Sequence, residues 1–209
     1  MTFSLSNIAD QPEIATYSIT LDSDEKIIVR PLVPSDVHKL ATFLQGLSQE
    51  TRRLSTFNGY DLEAAKELCD AINKYDKLRF VVESLSNARA VDRIVGLLEF
   101  SFGLPESDVE RFAQEGYKLN PDIDCRFGPT FADDYQNMGL GSKLFPFVIE
   151  IARQFGKQRI ILWGGVLKEN GRAIHYYEKI GFKQAGNSTK EGVEKLDMIL
   201  ELKEFSNSF

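Results

Sequence analysis

The chain has 209 residues, 43% hydrophobic and 27% charged, and a formal net charge of −6 at pH 7. This length suits one domain with a proper core, and the composition excludes wholesale disorder. The acidic balance argues against a nucleic-acid binder, which gains affinity by placing Lys and Arg on phosphates, and it tilts a charged partner weakly toward cationic amines.

In chain order, residues 1–14 are polar and expected to be loosely held, with a single domain over 15–209. Alternation over 15–21 and a β-branched run over 26–30, joined by Asp22-Ser23-Asp24-Glu25, predict a hairpin that Pro31 and Pro34 end. Ser35-Asp36 can cap a helix that carries Val37, Leu40, Ala41, Leu44 and Leu47 at helical spacing. A second helix is expected over 62–72, beyond the loop at Asn58-Gly59. Strands follow over 78–85 and 94–102, separated by the polar turn 86–89. Residues 103–121 read as irregular, with a helical turn or two in 108–116. A strand over 123–132 is interrupted by Gly128-Pro129. Leu144, Phe145, Val148, Ile151, Ala152 and Phe155 then form the apolar stripe of an amphipathic helix that Gly156 stops. A buried-type strand is expected over 159–166, a helix over 170–180 and a last strand over 195–202. The fold class is mixed α+β around a central sheet.

Other classes recede. No apolar run approaches the ~18 residues of a membrane-spanning helix, and the N-terminus lacks the pattern of a secretory signal. Cys69 and Cys125 form no CxxC pair and read as reduced thiols of a cytoplasmic protein. His38 and His175 have no second ligand at metal-binding spacing, so no metal is expected.

The informative segment is Gln136-Asn137-Met138-Gly139-Leu140-Gly141-Ser142, between a strand and the long helix. Glycines there let backbone approach a ligand, and the first free N–H groups of the helix, with its dipole, favour an anion such as a phosphate. No GK[ST] follows and no GxGxxG is present, so neither a P-loop nor a dinucleotide fingerprint is at hand. By itself the segment reads equally well as a strand-to-helix turn that uses glycine.

The rest of the chain breaks that tie. Gln136-x-x-Gly139-x-Gly141 matches the Q/R-x-x-G-x-G/A signature of the GNAT superfamily of acyl-CoA-dependent N-acetyltransferases. Asn170-Gly171-Arg172-Ala173-Ile174-His175-Tyr176-Tyr177-Glu178-Lys179-Ile180-Gly181-Phe182 resembles that family's N-x-x-A-x-x-x-Y-E-K-x-G-F segment. Arg30-Pro31-Leu32-x-Pro34-x-Asp36 and Leu47-Ser48-x-Glu50-Thr51-x-Arg53 are similar to the opening of its subgroup related to bacterial protein-lysine acetyltransferase domains. The resemblance runs from about Tyr17 to Leu202.

It implies a mostly antiparallel twisted sheet, splayed at the acyl-CoA site, with helices on both faces. It also implies an N-acetyltransferase that moves the acetyl group of acetyl-CoA to a primary amine by direct attack in a ternary complex. Phe131, Ala132 and the strand before them would bond the pantetheine arm. Gln136, Asn137, Met138, Gly139, Leu140, Gly141 and Ser142 would hold the pyrophosphate. Asn170 would touch the cofactor arm, and Tyr177 would lie beside the thioester sulfur as general acid. Helical spacing independently puts Tyr177 on one stripe with Asn170, Ala173 and Ile174, whereas Tyr176 falls on a neighbouring face. Glu99, a lone acid in an apolar strand, is the first candidate for a base, with Asp124 and Glu83 behind it.

Two prolines depart from expectation: Pro146 inside the long helix implies a bend, and Pro129 removes an N–H beside the pantetheine arm. The acceptor, the acyl preference, a homodimer and the role of 103–121 stay open. So do a non-catalytic acyl-CoA sensor or interaction module and transfer of another acyl group.

Overall fold

In the computed structural model, which describes residues 3–55, 57–70, 77–85, 92–190 and 192–204, the chain divides into two units. One comprises Phe3–Phe100 with Pro129–Leu144, the other Ser101–Gly128 with the chain from Phe145 on. Each has its own hydrophobic cluster. The architecture is mixed α/β with mostly antiparallel strands.

In the first unit, helix α1 (Leu5–Asp10) starts at Ser4, whose side chain accepts the Asn7 N–H, and it buries Ile8. This stretch was expected to be loosely held; its polar composition hides one apolar anchor. Strands β1 (Tyr17–Thr20) and β2 (Lys26–Pro31) form the expected hairpin, with Tyr17 opposite Val29. Alternation on β2 sends Ile27 and Val29 inward, both fully buried. Helix α2 (Val37–Gly46) carries the expected stripe, but Asp36 does not cap it. Its carboxylate instead accepts the Val33 N–H and two bonds from Arg30.

Helix α3 (Gln49–Leu54) was not expected, being too short to show a period. Helix α4 (Leu62–Asp70) follows; the expected extension to 72 and the turn 86–89 lie outside the described residues. Strands β3 (Lys77–Leu85) and β4 (Arg93–Ser101) complete the order β1-β2-β3-β4. Leu40 and Leu44 of α2, Ala65 and Cys69 of α4, Val81 of β3 and Leu97 of β4 form its core.

The second unit begins with helix α5 (Glu106–Gln114), a full helix where a turn or two was expected. Its Phe112 packs with Leu119, Ile161, Ala185 and Ile199. Strand β5 (Asp124–Phe131) runs through Gly128-Pro129 without the expected interruption. The glycine and proline still mark a limit: parallel pairing with β6 (Arg159–Leu162) stops at Phe127 opposite Leu162.

Helix α6 (Leu140–Gln154) stays unbroken across Pro146. The strand expected over 159–166 ends early, because Gly164 and Gly165 take positive φ and turn the chain into β7 (Val166–Leu167). A Cβ on Gly165 would lie 2.9 Å from the Leu196 carbonyl, so glycine is required there. Helix α7 (Gly171–Lys179) matches its expectation closely. Strand β8 (Lys183–Lys190), too polar to read as a strand, pairs along β9 (Val193–Glu201), and β9 pairs β6 and β7 antiparallel. No helix among the described residues is long and apolar enough to cross a membrane.

Candidate active site

The loop between β5 and α6 lies in the first unit and has two parts. Its first part is tied down. The Ala132 N–H donates to Val95 O at 2.8 Å, and the Ala132 carbonyl accepts the Tyr135 N–H at 2.9 Å. Tyr135 is buried; its hydroxyl meets Glu25 at 2.5 Å and Arg93 covers its ring. The Phe131 ring fills the space over Gly96, where a Cβ would lie 2.6 Å away.

Gln136 Nε2 donates to Phe131 O at 2.9 Å and to Thr51 Oγ1 at 3.0 Å. The Gln136 amide nitrogen and the Ala132 backbone, both expected at the cofactor, are therefore engaged by the protein. These bonds brace the loop.

The second part is open. Asn137 and Gly139 have φ of 62° and 74°, left-handed values that turn the chain sharply into α6. Residues 137–139 are exposed, with Met138 52% exposed, and Leu140 is buried and anchors the helix. The Lys143 N–H makes the first bond of the helix, to Gly139 O at 3.0 Å. The N–H groups of Leu140, Gly141 and Ser142 precede it and, by helix geometry, have no carbonyl four residues back within the helix. An exposed left-handed loop opening onto such a helix end is what an anion site requires.

The other expected contacts lie in the second unit. Asn170 is the N-cap of α7, its Oδ1 accepting the Ala173 N–H at 3.1 Å. Tyr177 is buried between Tyr176, 5.2 Å away between ring centroids, and Phe182, 5.4 Å away. Burial, then the neighbouring Tyr176, pushes the Tyr177 hydroxyl well above the usual phenol range; burial alone raises Tyr176. Tyr177 therefore stays protonated throughout the pH range in which amines lose their protons. A phenol in that state can donate to a developing thiolate.

The three candidate bases share one fate. Glu99 pairs with Arg79 at 2.7 Å, both side chains less than a tenth exposed. Glu83 accepts from Arg30 and Lys39. Asp124 accepts two bonds from Arg159 and one from the Asn120 N–H. Each acid in an apolar strand is an ion-pair partner. Glu99→Gln, which strips Arg79 of its counter-charge, should cost about 3 kcal/mol of stability, read as a lower urea midpoint at unchanged slope. A variant as stable as the wild type would show that the pair contributes nothing to the fold.

Sequence reasoning missed two networks. In the second unit, Asp197–Arg111–Asp108–Arg126 is a chain of ion pairs that fastens α5 to β9 and β5, with Arg126 stacked over Trp163. Arg111 and Asp108, three apart on a helix, were its legible signal. In the first unit, Asp133 accepts from Ser48 and Thr51. Asp133 also lines a cavity of about 430 Å³ with Lys39, Phe43, Arg93 and Asp134.

Comparison with known proteins bears on these features. The sequence model described as "Acetyltransferase (GNAT) family" matches residues 50–182. Acetyltransferase PA5475 of Pseudomonas aeruginosa is 29% identical over 140 residues, covering 66% of this chain and 65% of that protein, slightly under two thirds of its length. The crystal structure of the GNAT domain of S. lividans PAT superposes with a TM-score of 0.65 at 17% identity, covering 91% of this chain and 98% of that one. AAC(6')-Ib in complex with ribostamycin and coenzyme A superposes with a TM-score of 0.66 at 17% identity, over 87% of this chain and 98% of that one. At such identity the likeness shows the fold.

Proposed function

Because the chain belongs to the acetyltransferase (GNAT) family, we propose that it transfers the acetyl group of acetyl-CoA to a primary amine. One observation carries the reading: the loop Asn137–Gly139, left-handed at two positions and exposed, opens directly onto the N-terminus of α6. The amides of Leu140, Gly141 and Ser142 would hold the donor pyrophosphate. The amine attacks the thioester carbon, the C–S bond breaks, and its electron pair goes to sulfur. Tyr177 supplies the hydrogen bond that the departing thiolate needs, and the amine releases its own proton to water.

With Glu99, Glu83 and Asp124 all ion-paired, the acceptor would enter as its free base without a dedicated enzyme carboxylate. Activity at subsaturating acceptor should then rise with pH until the acceptor's own pKa is passed. An enzyme group titrating near pH 6–7 instead would restore a general base, Glu99 first.

The experiment is coenzyme A release from acetyl-CoA with a panel of amines: a lysine peptide, a polyamine, an amino acid and an aminoglycoside. Release that depends on one amine class identifies the acceptor. Tight acetyl-CoA binding without release for any of them would favour a sensor. Extended dialysis against a chelator should leave turnover intact; a loss restored by one specific metal ion would overturn direct transfer as written.

A further inference from the structure

We infer that helix α3 is a positioning device for the donor loop: Ser48, Thr51 and Asp133 hold the loop in its anion-binding shape and so set donor affinity without touching the donor. The inference rests on the reading of residues 137–142 as the pyrophosphate site. It accounts for the motif Leu47-Ser48-x-Glu50-Thr51-x-Arg53, to which the proposed chemistry assigns no task.

The bonds form a closed circuit within the first unit. Ser48 caps α3 by accepting the Thr51 N–H at 3.2 Å. Its own hydroxyl donates outward, to Asp133 Oδ1 at 2.5 Å, while its backbone N–H donates to Asp133 Oδ2 at 2.8 Å. The Thr51 hydroxyl donates to the same Oδ1 at 2.7 Å. Burial pushes the Asp133 carboxyl up, but the bonds from the Ser48 side chain, the Ser48 backbone and Thr51 hold it below its ordinary range. Asp133 is therefore a carboxylate at neutral pH. Having donated to Asp133, Thr51 Oγ1 accepts from Gln136, whose second Nε2 proton closes the circuit on Phe131 O. The circuit encloses the 3₁₀ turn Asp133–Tyr135.

Its position explains its task. Immediately beyond Gln136 the backbone enters the left-handed region at Asn137, a conformation that asparagine tolerates better than most residues with a Cβ but does not hold by itself. Met138 and Gly139 are exposed and offer no packing to impose it. Buried Leu140 holds the far end of the loop, and Gln136 and Thr51 hold the near end, from which the turn at Asn137 starts. An anion site formed before the ligand arrives binds more tightly than one the ligand must order.

The test uses the full chain and coenzyme A as the probe. Calorimetry on the wild type comes first: no binding would defeat the donor reading itself. Given binding, Thr51→Val, which keeps the shape and removes the hydroxyl, should weaken affinity about 5- to 30-fold. Thr51→Ser should restore it to within about 2-fold. Amides 138–142 of the ligand-free Thr51→Val protein should exchange hydrogen faster than in the wild type. With an acceptor from the amine panel, kcat at saturating acetyl-CoA should stay within about 2-fold while the donor KM rises.

Unchanged affinity and exchange in Thr51→Val would overturn the inference. So would a loss that Thr51→Ser fails to restore, or a fall in kcat at unchanged donor KM. The exchange measurement tests the circuit even where the donor reading has failed. Should Thr51→Val not fold, Asp133→Asn, which removes the charge from the centre of the circuit, carries the same expectations and the same refutations.

Discussion

Tyr177→Phe is expected to lower kcat by about 10²- to 10⁴-fold while leaving affinity for acetyl-CoA almost unchanged. The substitution keeps the ring that packs between Tyr176 and Phe182 and removes only the hydroxyl. In the proposed transfer coenzyme A would leave as a thiolate, whose conjugate acid has a pKa near ~8.5, against ~10 for an ordinary phenol. Burial raises Tyr177 further, so its proton is never lost in the working range. The hydroxyl then acts as a hydrogen-bond donor whose benefit grows as charge develops on sulfur, and the thiolate, the weaker base, takes its proton from water. The sign follows for pH: a group with a raised pKa keeps its donor proton as pH rises, so Tyr177 should impose no loss of activity below about pH 10. Tyr176→Phe is the control and should cost less than about 10-fold. Normal turnover by the Tyr177 variant, or a dead Tyr176 variant, would reassign the acid.

Gly141→Glu should weaken coenzyme A binding by about 100-fold or more, because a carboxylate beside a pyrophosphate costs several kcal/mol. The same carboxylate sits in the first turn of α6, where the helix dipole favours it, so thermal stability should not fall. Loss of binding without loss of stability separates a ligand site from a folding defect. Gly141→Ala separates charge from bulk and should bind coenzyme A far better than the glutamate variant. A folded Gly141→Glu protein with wild-type affinity, measured by calorimetry, would remove the pyrophosphate from this loop.

Long periodic segments were legible in the sequence and short or polar ones were not. Helices α6 and α7 stand where periodicity put them: buried residues repeat along α6, and on α7 Ala173 and Ile174 are half-buried on the stripe that ends at buried Tyr177. Helix α3 is too short for a period, and β8, Lys-Gln-Ala-Gly-Asn-Ser-Thr-Lys, is a strand because β9 pairs along it rather than through its own composition. Gly164 and Gly165 read as part of a buried strand; both take positive φ, and at Gly165 the carbonyl of Leu196, a residue far along the chain, leaves no room for a Cβ.

At the site, the sequence located the motif segments but not the bonds that their side chains make within the protein. Gln136 and Asn170 stand in motif positions, and within the protein they brace a loop and cap a helix. Glu99 stood out as a candidate base because it was an acid among apolar neighbours. The sequence could not show that Arg79, twenty residues earlier, meets it.

The circuit between α3 and the donor loop also bears on the order in which the protein acquires its parts. Ser48 and Asp133 are 85 residues apart, as are Thr51 and Gln136. Closing so long a span costs chain entropy before any bond returns it, so contacts of this kind form late in folding. Helices α2 and α4 can collapse on their shared cluster without it. A chain still emerging from the ribosome can therefore build that core while its donor loop has no shape. Competence to bind coenzyme A would arrive as a final step, after the residues around Gln136 have been made and have met a helix synthesised long before.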